Sequence, residues 1–584
     1  MYKLLKKRVS WPAIAASVAF LTVQVICDMN LPSLTSDMIN NGVAKGDIDY
    51  IWSVGFKMLV VAAIGMIGSI GNVYIAAKVA QKAGSSLRGD VFKRVLGFGN
   101  QEIDGFSTSS LITRTTNDVL QIQNVVLMFL RMMLMSPLMI IGASIMAYQS
   151  EKRLTMGFLV SVPLLAIAIG IVMRFSVPLF KSLQGKIDRI NLTFREGLTG
   201  VRVIRAFRQD KFEQDRFKEA NKDYTETGIK VFSIVSLMFP IMNLILNGTN
   251  MTIVWFGARL IGDKTMEVGN LVSFMTYANM ILFSFMMLSM VFVFIPRAQA
   301  AAERLNEVLD TKYTITDPDD PERFTADAPS ELEFDNVDFY YEGAEKPALA
   351  KTDFKAVAGQ TVAIIGGTGC GKSTLINMIP RLYDATDGTV KVNGKDVKKV
   401  AQKDLHDKIS FVQQKAVLFK GTIRSNMLFG NPNATDEDIW HALEIAQSKD
   451  FVSELEDGLD SVVEQGGGNF SGGQRQRLAI ARALMKKASV YVFDDSFSAL
   501  DFKTDAKLRQ ALQQDPEIKN SVVVIVAQRV STVLSADVII VLDGGEVVGK
   551  GTHEELLKTN ETYREIVNSQ ISANHPEVYM IMLL

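Results

Sequence analysis

The chain has 584 residues, 48% of them apolar and 21% charged, with a formal net charge of −1 at pH 7. That length exceeds a single core, and the near-neutral balance, without clustered surplus cations or a nucleic-acid fold motif, argues against a nucleic-acid binder. Its two cysteines, Cys27 and Cys370, exclude a disulfide framework, because one lies in an apolar run and the other in a glycine-rich loop.

Nearly uncharged apolar runs fill the chain up to about residue 297, and ordinary globular composition follows. The two halves therefore face different solvents. Six stretches, 11–36, 52–77, 124–148, 154–174, 231–258 and 269–296, are long and apolar enough to cross about 30 Å of hydrocarbon as helices. Lys3, Lys6, Lys7 and Arg8 precede the first, and the connections at 78–123 and 174–230 are rich in Lys and Arg. The other loops hold only Lys45, Lys152, Arg153, Arg259 and Lys264. Lys/Arg excess marks the cytoplasmic side, so the N-terminus, both long connections and the second half are expected on the cytoplasmic side of a cell inner membrane. No small-residue cleavage site follows the basic N-terminus, which reads as a first span and not as a signal peptide.

The two long connections alternate charge with apolar residues at helical spacing, which predicts membrane helices that project into the cytoplasm. Glu102 to Asp118 and Arg195 to Phe212 are the expected docking segments for the second half. The fifth span carries Asn243, Asn247 and Asn250 on one helix face, where amides need a cavity or a partner helix. The sixth is rich in Met and Phe from Phe274 to Phe294, a composition that suits varied apolar ligands and packs against lipid equally well. The expected organisation is a membrane domain at 1–305, a linker at 306–330, a nucleotide-binding domain at 331–570 and a tail at 571–584.

In the second half, Thr361–Ile365 reads as a buried strand feeding Gly366-Gly367-Thr368-Gly369-Cys370-Gly371-Lys372-Ser373, and Thr374 opens a helix. That context is what a phosphate loop requires. Backbone N–H groups turn toward phosphates, Lys372 supplies a point charge, and Ser373 can ligate Mg²⁺. Asp494 closes the apolar strand Val490–Phe493, which places a carboxylate beside the metal; Ser498-Ala499-Leu500-Asp501, further on, fixes its register over Asp495. ATP and Mg²⁺ are the implied cofactors.

Phe470-Ser471-Gly472-Gly473-Gln474, followed by a helix from Arg475 to Leu484, resembles the signature of the ATP-binding cassette (ABC) superfamily. Over nearly its whole length the chain resembles an ABC exporter half-transporter. The resemblance implies an α-helical membrane domain with six spans followed by an α/β P-loop nucleotide-binding domain. It also implies dimerisation, because in the family one domain's signature closes the other domain's phosphate loop. By the same resemblance Tyr341 stacks on adenine, with Tyr340 its register rival, and Gln414 touches Mg²⁺ and water, with Gln413 the weaker candidate. Asp501 matches the aspartate that reaches across the dimer, and Thr199–Phe207 is similar to the second intracellular loop of exporters. Glu464 to Asn469 resembles the loop before the signature, with its register left open by Gly466-Gly467-Gly468.

Two positions depart from the family pattern. Asp495 stands where the family has its catalytic glutamate, and Gln528 stands where it has its switch histidine. Aspartate is shorter by about 1 Å, and misplacement on that scale costs about 10²-fold in rate. Glutamine can hydrogen-bond a phosphate but has no cationic form. The signature keeps its pattern apart from Phe470 in place of leucine. This combination resembles the degenerate-site subunit of heterodimeric exporters: a slow ATP site of its own, and a signature completing a partner's hydrolytic site. The expected role is ATP-driven multidrug-type efflux of amphipathic or drug-like hydrophobic compounds. The alternatives are a homodimeric lipid or peptide flippase and an ATP-binding membrane sensor that transports nothing.

Overall fold

A computed structural model describes residues 1–573 apart from 7, 326 and 327; the end of the tail, 574–584, lies outside the described residues. The chain divides into two compact units. One comprises Met1–Leu96 with Ser107–Thr311, and the other comprises Gly97–Phe106 with the chain from Lys312 onward.

Among the described residues of the membrane unit, six helices are long and apolar enough to span a bilayer, one over each expected stretch. Several far exceed that need. Ile48–Leu96 has 49 residues and Phe158–Thr199 has 42, where about 20 suffice for the hydrocarbon. The first helix, Trp11–Asp37, packs along the second, and Val268–Asp310 packs against both Trp11–Asp37 and Leu134–Ser150. Phe158–Thr199 pairs with Asp210–Ser236 and Met238–Gly262. Small residues permit the closest approach: a Cβ on Gly68 would stand 3.0 Å from the Phe20 carbonyl oxygen. Some of the unit's buried polar groups pair across helices. Asn72 Nδ2 donates to Ser17 O at 2.9 Å, and Arg304 grips Asp118 with two hydrogen bonds of 2.8 and 2.5 Å. Asn250 Nδ2 donates to Asn279 Oδ1 at 3.0 Å, whereas Asn243 and Asn247 are exposed on this chain. The last membrane helix continues to Asp310, into the stretch expected as linker.

In the nucleotide unit twelve strands are described: β1 Glu331–Phe339, β2 Leu349–Val357, β3 Thr361–Gly366, β4 Asp387–Val392, β5 Lys395–Asp396, β6 Ile409–Val412, β7 Gly421–Thr422, β8 Val462–Val463, β9 Val490–Asp494, β10 Val522–Val526, β11 Val538–Asp543 and β12 Glu546–Gly551. Ten form one sheet in the order β5-β4-β1-β2-β12-β11-β3-β10-β9-β6, and β7 pairs with β8. From β11 to β6 every neighbour is parallel, and β10 is buried throughout, which is why these strands read as unbroken apolar runs. β1 instead alternates, pairs antiparallel with β2, and stacks Phe334 on Phe354 at 4.7 Å. The register sets Val526 beside both Ile364 and Asp494, and Val412 beside Phe493. The loops leaving β3, β6, β9 and β10 therefore emerge at one edge of the sheet.

The first expected docking segment is split. Gly97–Phe106 belongs to the nucleotide unit, while Arg114 and Asp118 are buried in the membrane unit as ion pairs with Glu307 and Arg304. Glu102 anchors the short piece: Oε1 accepts from Thr314 N at 2.6 Å and Thr314 Oγ1 at 2.8 Å, and Oε2 accepts from Gly99 N at 2.9 Å. Phe98 adds contacts with Phe106 and Tyr313. Because Glu102 is buried, Glu102→Ala strands these donors, at a cost of about 1–3 kcal/mol. Amide exchange across 97–106 should accelerate accordingly in the variant while the β10 core stays protected. Unchanged exchange would show that the carboxylate does not hold the segment.

Candidate functional site

The glycine loop after β3 is shaped by backbone conformations that side chains resist. Gly369 and Gly371 have φ of +82° and +101°, and a Cβ on Gly371 would lie 2.5 Å from the Ala348 carbonyl oxygen. Lys372 folds over the loop, donating to Gly366 O at 2.9 Å and Gly367 O at 2.6 Å. The Cys370 side chain is buried in the sheet core, which leaves only its backbone for a phosphate.

A cavity of about 520 Å³ opens here, lined by Tyr341, Gly366, Gly367, Thr368, Gly369, Gly371, Lys372, Ser373, Thr374, Gln414, Asp494, Asp495 and Gln528. Its size and polar lining suit a nucleotide. The cavity separates the two members of each register pair. Tyr341 lines the cavity, its hydroxyl 2.8 Å from Thr374 Oγ1 and its ring edge-on to Tyr383, while Tyr340 does not. Gln414 lines it too, whereas Gln413 faces a separate groove with Phe411 and Val417.

The two neighbouring carboxylates sit in different environments. Burial pushes the Asp494 carboxyl up to about 6, with adjacent Asp495 adding to the rise and Lys372 opposing it. Ser373, Gln414 and Asp494 bring hard oxygen donors to one cavity, which suits a cation such as Mg²⁺ that keeps few protein ligands and takes the rest from phosphates. Asp495 is buried, with φ of +43°, a left-handed conformation that aspartate tolerates better than most residues. Its Oδ2 accepts two hydrogen bonds, from Gln414 Nε2 at 3.1 Å and from Gln528 Nε2 at 2.9 Å.

Phe470, Ser471, Gly472, Gly473 and Gln474 lie outside this cavity. Ser471 caps the helix Gly472–Leu484 through a reciprocal capping box with Gln474, which occupies the Ser471 and Gln474 N–H groups and leaves those of Gly472 and Gly473 without an intrahelical partner. Phe470 is buried against Phe451, itself covered by Arg477 at 4.9 Å. Asp501 is exposed and caps its own helix, Phe502–Gln514, and its hydrogen bond from Thr504 N holds the carboxyl below its usual range. In the membrane unit, Leu198, Val203, Phe207 and Phe212 of the second expected docking segment are exposed. Sequence reasoning missed Ile566, Ser569 and Gln570, which complete the cavity wall from the helix Glu561–Ala573. No motif marks them.

These features define an ATP-binding cassette joined to a six-helix membrane domain. Residues 14–286 match the ABC transporter transmembrane region and residues 349–498 the ABC transporter domain. An ABC transporter ATP-binding protein of Mycobacterium tuberculosis, described as uncharacterised, is 40% identical over 551 residues, covering 94% of both chains. YfiB of Bacillus subtilis, likewise described, is 33% identical over 96% of this chain and 97% of its own. An ATP-dependent lipid A-core flippase of Pseudomonas savastanoi is 30% identical over 89% of this chain and 86% of its own. The structure of a bacterial Atm1-family ABC exporter with ATP bound superposes with a TM-score of 0.79 at 22% identity, covering 96% of this chain and 98% of that one. The chain belongs to the ABC transporters and has the exporter fold, with ATP hydrolysis coupled to transport as its class of activity.

Because Asp494 has a folded pKa of about 6 against an ordinary 3.8, its protonated form contributes stability to the nucleotide-free domain. That contribution is complete below about 3.8 and lost as pH rises through about 6. Asp494→Asn, which cannot ionise, should melt higher than the parent near pH 7.5, with the gap narrowing toward pH 4.5 in differential scanning calorimetry. A gap independent of pH would refute this account of Asp494.

Proposed function

We propose that this chain is one half of a heterodimeric ABC exporter of a cell inner membrane, with the N-terminus and nucleotide domain cytoplasmic. ATP and Mg²⁺ bind its own phosphate loop but turn over slowly there. The carrying observation is the state of Asp495: the carboxylate at the hydrolytic position is short, and one of its oxygens is already engaged by two amide donors. No imidazole stands beside it to take a charge.

When bound, Mg²⁺ would neutralise charge on the phosphate oxygens, held by Ser373, Gln414 and Asp494. Lys372 leaves the loop carbonyls for the phosphates, Tyr341 offers a face to the base, and the glycine-loop amides cradle the anion. Gln528 keeps Asp495 oriented without a proton to exchange. The signature helix, which lies outside the lining of its own cavity, completes the partner's site on a second half-transporter, with Asp501 nearby. ATP resident in the slow site favours the closed dimer while the other site fires, and alternating access moves amphipathic or drug-like compounds outward. The relatedness to lipid A-core flippases favours a second reading, a homodimer that flips a lipid.

Mg²⁺-ATP hydrolysis by the purified chain decides between them. The native chain should hydrolyse roughly 10²-fold more slowly than the Asp495→Glu, Gln528→His double variant. Native turnover equal to that of the variant would reject the slow-site reading and favour the homodimer.

A further inference from the structure

The helix Glu561–Ala573 makes a contact with the nucleotide site that none of its motifs implies. Gln570 Nε2 donates to the Gln528 carbonyl at 2.7 Å, and Gln570 Oε1 accepts from Val530 N at 2.8 Å. One carboxamide thus pairs with the backbone on both sides of Arg529, as a strand would. Only a group carrying donor and acceptor side by side can do this. The clasped loop leads directly to the carboxylate at the cleavage position, because the Gln528 side chain donates to Asp495 Oδ2.

The helix does not depend on this clasp for its own attachment. Tyr563 is fully buried with its hydroxyl 2.8 Å from His553 Nδ1, and Val567 is buried in the domain core. Gln570 is therefore free to act on the loop from a fixed base. Ile566 and Ser569, on the same helix, form part of the cavity wall.

We propose that Gln570 is a positioning residue of the ATP site: it fixes the backbone at Gln528 and Val530 so that the Gln528 amide stays on Asp495. This requires only that the chain binds ATP and is independent of the partner's identity. Two substitutions separate hydrogen bonding from packing. Gln570→Met keeps the length and apolar contacts but loses both bonds, while Gln570→Glu keeps the acceptor for Val530 N and loses the donor.

The test is amide exchange at Val530 in the full-length chain in lipid nanodiscs, combined with equilibrium binding of Mg²⁺-ATP. Val530 should exchange roughly tenfold faster in Gln570→Met, the equivalent of one hydrogen bond, and near the native rate in Gln570→Glu. The 553–563 amides should be unaltered in both. Gln570→Met should also weaken Mg²⁺-ATP binding, with little further loss when Gln528→Ala is added, because the two act through one path. Native exchange in the Met variant, parallel loosening of 553–563, or additive binding losses would each overturn the proposal. Should the Met variant fail to fold, fast Val530 exchange in Gln570→Glu would equally overturn it.

Discussion

The parallel register of β3, β10, β9 and β6 is the constraint on which the site depends. Each strand contributes one loop to the same sheet edge: the glycine loop follows β3, Gln414 follows β6, the Asp494–Asp495 pair closes β9, and Gln528 follows β10. Buried on both faces and paired on both sides, β10 cannot slip by one residue without breaking its pairing with both β3 and β9 and repacking the layers against it. The relative heights of Lys372, Asp494, Asp495 and Gln528 are thereby fixed by packing rather than by the polar contacts they make. The polar groups then need only small adjustments to meet.

Asp495 and Gln528 make physical sense as a pair. A shortened carboxylate held in a left-handed backbone conformation cannot extend toward a phosphate as a glutamate would, and it sits buried between two side chains. A neutral amide at 528 satisfies that carboxylate without bringing a proton that shifts with pH. A histidine at 528 would titrate near neutrality and alter the charge next to Asp494, which burial already holds near 6. The two departures thus form one hydrogen-bonded arrangement with Gln414, in which each member accounts for the others.

What the sequence made legible follows from where each signal resides. Six apolar runs, the glycine loop and the signature are contiguous, so local physics marks them and the fold class could be read directly. The choice between Tyr340 and Tyr341, or between Gln413 and Gln414, is one of strand register, and alternation alone does not decide it when both neighbours have the same side chain. Glu102 and Gln570 act across 212 and 42 residues of chain, through contacts for which no spacing rule exists. The expected docking segment Glu102–Asp118 shows the same limit. Its charges look alike in sequence, yet Arg114 and Asp118 are committed to the last membrane helix and only the stretch through Phe106 joins the nucleotide unit.

Three sets of groups are left unfinished by the single chain, and each is chemically specific. The Gly472 and Gly473 N–H groups at the start of the signature helix have no intrahelical partner and lie outside this chain's own cavity, a disposition suited to an anion. Leu198, Val203, Phe207 and Phe212 are large apolar side chains, each exposed, on a connection between membrane helices. Asn243 and Asn247 are exposed on a span where hydrocarbon offers no partner, and among the described residues only the Asn243 amide is met within its own helix, by the Phe239 carbonyl at 3.1 Å. Any one of these alone is compatible with a solitary chain. Together they present N–H donors, apolar side chains and amides on faces that a dimeric assembly would cover. ABC exporters act as dimers in the bilayer, and in a dimer one chain can carry surfaces that only a second half completes.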